Sequence, residues 1–281
     1  MAQRSVELIE RGFYRFVREE RHFCTILVQL LLAKNRNLGA FLKLANTKLD
    51  GAPLTTRGAV RAEIYTEFSL LRDDWNALGR DNDAKRARIR RLLKRAGMGN
   101  HVGALPEGVP ELNEFFMGPR GARIVRDVAS PGNWSVSALA ERFRDKPEAF
   151  HDLCRFKWAF NIKPDIVIVI PGSSPLSIEA KLESREGQYP ASSVDRAVFD
   201  TMFGKKKGRV QQVELQRFMF KKLLGVSCEF LTLGVRRVTS ADDPNQTPFL
   251  TWREAFAELD LTGSLDYVKW FVDENVHLNR E

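Results

Sequence analysis

The sequence predicts an α/β protein: a mixed-sheet core flanked by helices, behind a mainly helical N-terminal part. Three observations predict it. Two short apolar runs, 163–171 and 176–182, are rich in branched residues and separated by Pro171-Gly-Ser-Ser-Pro175, which reads as strand, turn, strand. Residues 208–225 carry apolar side chains at helical spacing and end on Gly225, and 228–235 is apolar again, adding a helix and a third strand. Before residue 98, apolar residues recur almost throughout with a helical period. The expected division is therefore a helical region at 1–125 and the sheet-bearing core at 126–281.

Taken in order, residues 6–34 form one long helix pattern and 38–49 a shorter one. Residues 61–75 read as a helix with Ile64, Phe68, Leu71 and Trp75 on one face and Glu63 and Glu67, four apart, along its border. In 82–97, Ile89, Leu92, Leu93 and Ala96 face inward, while Lys85, Arg86, Arg88, Arg90, Arg91, Lys94 and Arg95 make the rest basic. The stretch from Gly99 to Gly121 is interrupted by Gly and Pro and reads as loop, the expected boundary. A short helix over 134–144 opens on Asn133 or Ser135, and 156–162 reads as the strand before the hairpin. Between Lys181 and Gly208 lies a long excursion, and 252–259 and 264–276 close the chain as helices.

Composition narrows the partners. The 281 residues carry a formal charge of +8, and a pI near 9.5 favours a polyanion. Lys205, Lys206, Lys207 and Arg209 cluster just ahead of the 208–225 helix, where phosphate contacts would supply sequence-independent affinity. Three cysteines (Cys24, Cys154, Cys228), far apart and with no CxxC, argue against a disulfide framework or a zinc site and for a reducing compartment. The N-terminus has no signal-peptide pattern, and the longest apolar stretch, 23–33, is too short to span a bilayer. The expectation is a cytoplasmic protein with no membrane partner.

The hairpin carries charges where a core strand should not tolerate them. Side chains alternate along a strand, so Glu179 and Lys181 point to one side and Ile178, Ala180 and Leu182 to the other. A turn near Gly172 and Ser173 can bring Asp165 beside Glu179. Two carboxylates that close need a cation between them. A hard divalent ion with oxygen ligands, Mg²⁺ or Mn²⁺, is the economical one.

Pro164-Asp165, followed by Glu179-Ala-Lys181 on the second strand, resembles the PD-(D/E)xK motif of the restriction-endonuclease-like nuclease superfamily. The match covers about twenty residues directly and extends more loosely through about Arg237. The resemblance implies a restriction-endonuclease-like core, Asp165 and Glu179 as metal ligands, and Lys181 positioning or activating the attacking water. It also implies a glutamine on the following helix, for which Gln212 is the first candidate, with Gln211 and Gln216 in reserve. It implies a further carboxylate from an earlier helix: Glu67 first, then Glu63, then Glu114. Metal-dependent phosphodiester hydrolysis follows, with DNA ahead of RNA as substrate and a role in restriction or anti-phage defence. The alternatives are a non-catalytic nucleic-acid-binding or assembly subunit on the same fold, and a nuclease gated by a protein partner or second messenger. A homo-oligomer is compatible with each.

Overall fold

The computed structural model describes residues 19–51, 53–56, 61–123, 125–182, 187–205, 207–235 and 247–276. Residues 6–18 of the first expected helix, Lys206 and Arg237 lie outside them. The chain forms two compact units, and the division differs from the expected one at residue 125. The first unit gathers the described residues up to Phe68 with those of Pro164–Arg185 and Cys228–Glu281; the second takes Ser69–Lys163 and Glu186–Ser227. Both are discontinuous, because the strands of one sheet come from three separate stretches of chain.

In chain order, α1 (Glu20–Ala33) is apolar nearly all round, and α2 (Asn35–Asn46) follows the extended Lys34 with Leu38, Phe41, Leu42 and Ala45 on one face. The expected helix at 61–75 is a correction: Glu63–Thr66 is a strand, β1, and helix begins only at α3 (Leu70–Ala77). Ile64, Tyr65 and Thr66 are good strand formers. Their backbone groups pair with the edge of β2, which a helix could not do. The basic helix α4 (Asn82–Arg95) is capped by Asp81, whose carboxylate accepts from Ala84 N at 2.9 Å.

The expected loop after Gly99 contains two helices, α5 (Gly99–Val102) and α6 (Val109–Ala122), the latter kinked at Gly118 with φ 73°. Helix α7 (Val136–Arg142) opens on Ser135, one of the two expected caps. Residues 156–162, expected as a strand, are mostly the end of α8 (Pro147–Asn161). Phe156, Trp158, Ala159 and Phe160 are all buried, and so short an apolar run, broken by Lys157 and ended by Asn161, fits a buried helix as well as a strand.

Strands β2 (Ile166–Val169) and β3 (Leu176–Ala180) form the expected antiparallel hairpin, turning through Gly172 at φ 78°. The excursion that follows holds β4 (Gln188–Tyr189) and α9 (Ser193–Phe203). The expected helix at 208–225 starts late. Val210–Gln211 is β5, paired with β4; α10 runs Gln212–Phe218 and widens into a π turn at Met219–Leu224. It stops, as expected, at Gly225 with φ 72°. Then come β6 (Glu229–Gly234), β7 (Phe249–Thr251), α11 (Trp252–Ala257) and α12 (Asp266–Val276). Cys228 is half-buried one residue before β6.

The first unit is built on a five-stranded mixed sheet in the order β1-β2-β3-β6-β7. The first three strands are antiparallel neighbours, whereas β6 lies parallel to both β3 and β7. Ile166, Ile168, Leu176, Ile178, Ala180, Leu231 and Leu233 share a core with Phe23, Leu27, Phe41, Trp252, Phe256 and Phe271 from the helices. The residues between them, Val167, Ser177 and Glu179, are buried too. A strand buried on both faces places Glu179 inside the protein.

The second unit is helical around an aromatic core. Trp134 stacks on Phe116 with centroids 3.7 Å apart and lies 5.3 Å from Phe156. Buried Asn113 ties the 125–129 segment down: its amide donates to Asp127 O and its carbonyl accepts from Ala129 N, both at 2.9 Å.

Candidate active site

Register decides what the hairpin can do. Ile166 faces Ile178 across β2 and β3, and one further step along that ladder sets Asp165 against Glu179. The contact is anchored by the backbone, since Asp165 Oδ2 accepts from Ala180 N at 2.7 Å. Lys181 continues the parallel ladder beyond β3, its N–H donating to Leu233 O at 2.7 Å. Its carbonyl accepts from the Trp252 indole at 3.0 Å. With the backbone held on both sides, the Lys181 ammonium reaches Glu179 Oε1 at 2.5 Å. Glu179 is 2 % exposed and the Lys181 side chain 16 %. The structure thus brings Asp165, Glu179 and Lys181 together.

Glu67 joins them by a route other than the expected helix. Its N–H donates to Asp165 O at 3.0 Å, extending the β1–β2 pairing past Thr66. It is the only non-glycine residue with positive φ, 51°, among the described ones. That conformation costs on the order of 1 kcal/mol and persists only where surroundings impose it. Arg21 Nε lies 3.4 Å from the Glu67 carboxylate. Glu63 sits at the far end of β1, opposite Val169, and is exposed. Glu114 belongs to α6 of the second unit and is also exposed.

The sequence pattern does not single out one further carboxylate. Glu20, the first residue of α1, accepts from Leu182 N through Oε1 at 3.0 Å, directly after Lys181. A helix pattern running unbroken from residue 6 hides it. The available signal is Glu19-Glu20 standing two residues short of the apolar stretch that begins at Phe23.

Electrostatics confirms the crowding of charge. Burial pushes the Asp165 carboxyl above the ordinary range; the Ala180 N–H and Lys181 pull it down, while Glu20 and Glu67 push it further up. Burial alone would lower Lys181, but Glu179, Asp165 and Glu20 outweigh it, so the ammonium is held charged. Cys24, on the core side of α1, has its thiol raised first by burial and then by Asp165, Glu179, Glu20 and Glu67. Four carboxylates against the Lys181 ammonium and the Arg21 guanidinium leave this corner of the first unit negative.

That donor set is all oxygen and anionic, which suits a hard divalent cation. Among the described residues, no group of three or more His, Cys, Asp or Glu side chains forms a ready cage. A Mg²⁺ ion does not require one. It keeps several waters and binds through one or two carboxylates plus substrate phosphate.

The remaining expected site residues lie in the second unit. Gln212 heads α10, its N–H donating to Gly187 O at 2.9 Å. A Cβ at Gly187 would meet the Gln212 side-chain carbonyl oxygen at 2.7 Å, so that glycine leaves room for the amide. Gln211 N donates to Glu214 at 3.0 Å in the N-terminal cap, and Gln216 is fully buried. Lys205 and Lys207 are exposed, whereas Arg209 pairs with Asp200 at 2.8 Å and is mostly shielded. No helix among the described residues is long and apolar enough to cross a membrane. The chain matches no protein-family model, no curated protein and no solved structure.

Proposed function

We propose that the chain is a metal-dependent nuclease of the restriction-endonuclease-like type, acting on DNA, with restriction or anti-phage defence as its setting. One observation carries the reading: Asp165, Glu179 and Lys181, spaced as in the nuclease motif, converge at one end of a buried hairpin. Asp165 and Glu179 would hold Mg²⁺ or Mn²⁺, with Glu20 and Glu67 adding negative charge around them. When bound, the ion supplies Lewis acidity toward a phosphoryl oxygen and toward water.

The protein's own residues supply the rest. Uncompensated, four carboxylates repel a phosphodiester, so substrate approaches only when the charge is balanced. Lys181, kept protonated by its acidic neighbours, places a fixed positive charge where negative charge grows on the phosphoryl oxygens. Water oxygen then bonds to phosphorus as one ester P–O bond breaks, leaving an alcohol and a phosphate monoester.

The close Lys181–Glu179 bridge also suits the second reading, a subunit that binds nucleic acid without cutting it, because a paired Glu179 is stable without a metal. Plasmid and single-stranded substrates, incubated with and without Mg²⁺, separate the two. The expected outcome is cleavage by the wild type only with metal, and none by Asp165→Ala, Glu179→Ala or Lys181→Ala. Equal cleavage by all four proteins would sink the nuclease assignment. Binding with no cleavage under any metal condition would support the second reading. An RNA arm decides the substrate.

A further inference from the structure

In the second unit, Arg95 at the end of α4 donates through Nη1 to the carbonyls of Leu223 and Leu224 at 3.0 and 3.1 Å. This fastens the end of α4 to the π turn that closes α10. Arg91 and Lys94 lie on the exposed face of α4, three residues apart, and Lys221 and Lys222 are exposed on that turn. None of the four has an acidic partner among the described residues. Their neighbours on α4 behave otherwise. Arg88 pairs with Asp74 and Arg90 with Glu107, both at 2.6 Å, and Arg86 pairs with Asp83. Lys85 is buried, its ammonium 5.7 Å from the Trp75 ring centroid. On α4 the paired cations are used within the unit, whereas Arg91 and Lys94 stay exposed on the helix end that Arg95 fastens to the turn bearing Lys221 and Lys222.

We infer that this edge, formed by Arg91, Lys94, Lys221 and Lys222, is a docking surface for the phosphate backbone of duplex DNA; the choice of partner rests on the nuclease reading above. Four unneutralised cations on two fastened elements complement a polyanion and release its counterions on binding. A duplex suits the surface better than a single strand. Single-strand sites add aromatic platforms for unstacked bases, and no Phe, Tyr or Trp of the second unit is exposed among the described residues. Membrane-surface helices add exposed apolar side chains beside their cations, and the exposed face of α4 carries none larger than Ala87. Cations at a helix C-terminus also offset its dipole. The Arg95–carbonyl bonds already do so for the π turn, leaving Lys221 and Lys222 directed to solvent.

The test is fluorescence anisotropy of a labelled DNA duplex titrated with the full chain in EDTA, across a salt series. A variant with Arg91, Lys94, Lys221 and Lys222 all changed to Ala is expected to bind roughly 100-fold more weakly. The slope of log affinity against log salt should fall in magnitude by about 3 to 4, near one unit for each phosphate no longer neutralised. A control removing the exposed cations Lys43, Arg80, Arg144 and Arg253 makes the same change in net charge and is expected to bind close to wild type. Equal weakening in both variants, or none in the first, overturns the surface. So does patch-dependent binding to phosphatidylserine vesicles without binding to the duplex. Because EDTA prevents cleavage, the two proposals fail separately. A patch-dependent binder that never cuts DNA keeps the surface and loses the nuclease; a nuclease whose affinity ignores the patch does the reverse.

Discussion

In the first unit the Lys181 ammonium lies 2.5 Å from a Glu179 carboxylate that is 2 % exposed. In the second, Arg91, Lys94, Lys221 and Lys222 stand in solvent with no acidic partner among the described residues. The same kinds of side chain therefore do different work. A buried charge is held in one geometry by its neighbours, can act on a reacting group, and is costly to leave unpaired. An exposed charge is mobile and screened; it contributes little to stability but adds to affinity for a polyanion. The difference separates residues expected to control rate from residues expected to control binding.

The sharpest test of that separation is kinetic. Lys181→Ala is expected to lower kcat for plasmid cleavage by about 10²- to 10³-fold. The four-Ala patch variant should raise KM and leave kcat near wild type. A patch variant that lost kcat as severely as Lys181→Ala would erase the distinction.

Next in size is stability. Removing Lys181 strands a buried carboxylate, so Lys181→Ala should lose roughly 3 kcal/mol in urea unfolding. Adding Glu179→Gln to it should recover much of that loss, because the stranded charge goes too. A double-mutant cycle giving simple additivity would mean the two groups do not interact.

Asp165 gives a smaller effect with a defined sign. Its carboxyl pKa is raised in the folded protein by burial, so folding favours the protonated form. The stability it contributes is present below the unfolded pKa and is lost as pH rises through the higher folded value. Asp165→Asn, which keeps an acceptor for Ala180 N, should therefore raise the melting temperature in EDTA at pH 7 more than at pH 4. Mg²⁺ should then stabilise the wild type but not Asp165→Asn, as expected for a ligand that binds only the native state. A variant melting below wild type at neutral pH would contradict this.

The smallest contrast lies on α4 itself. Arg95→Ala removes two bonds to helix-end carbonyls and should cost about 1 kcal/mol. Arg91→Ala, four residues earlier and pointing to solvent, should change unfolding by less than about 0.5 kcal/mol. Thermal or urea melts of the two single variants suffice, and equal effects would show that Arg95 does not fasten the two elements.

The hairpin and its charges are legible in the sequence because the information is local. A strand's alternation separates Glu179 and Lys181 from Ile178 and Ala180, Pro and Gly mark the turn, and a hairpin joins neighbours in the chain. Four features are not legible. Glu63–Thr66 is a strand because the edge of β2, a hundred residues away, supplies its hydrogen bonds; in isolation its apolar spacing suits a helix equally well. Residues 156–161 read ambiguously because a short, mostly buried apolar run fits the end of a helix as well as a strand. Glu20 becomes part of the acidic cluster only when the start of α1 meets Leu182. The basic helix is uniform as a pattern, yet Asp74, Asp83, Glu107 and Trp75 sort its cations into used and unused ones.

By itself the sequence determined residue chemistry at fixed spacing: an acid, then an acid and an amine on adjoining strands, and clusters of cations on helices. Only the tertiary structure decided which backbone edge completes each strand, which carboxylates share one partly buried corner, and which cations keep an acidic partner. Those outcomes depend on distances between segments far apart in the chain, and electrostatic energy depends on distance and burial, neither of which a linear pattern contains.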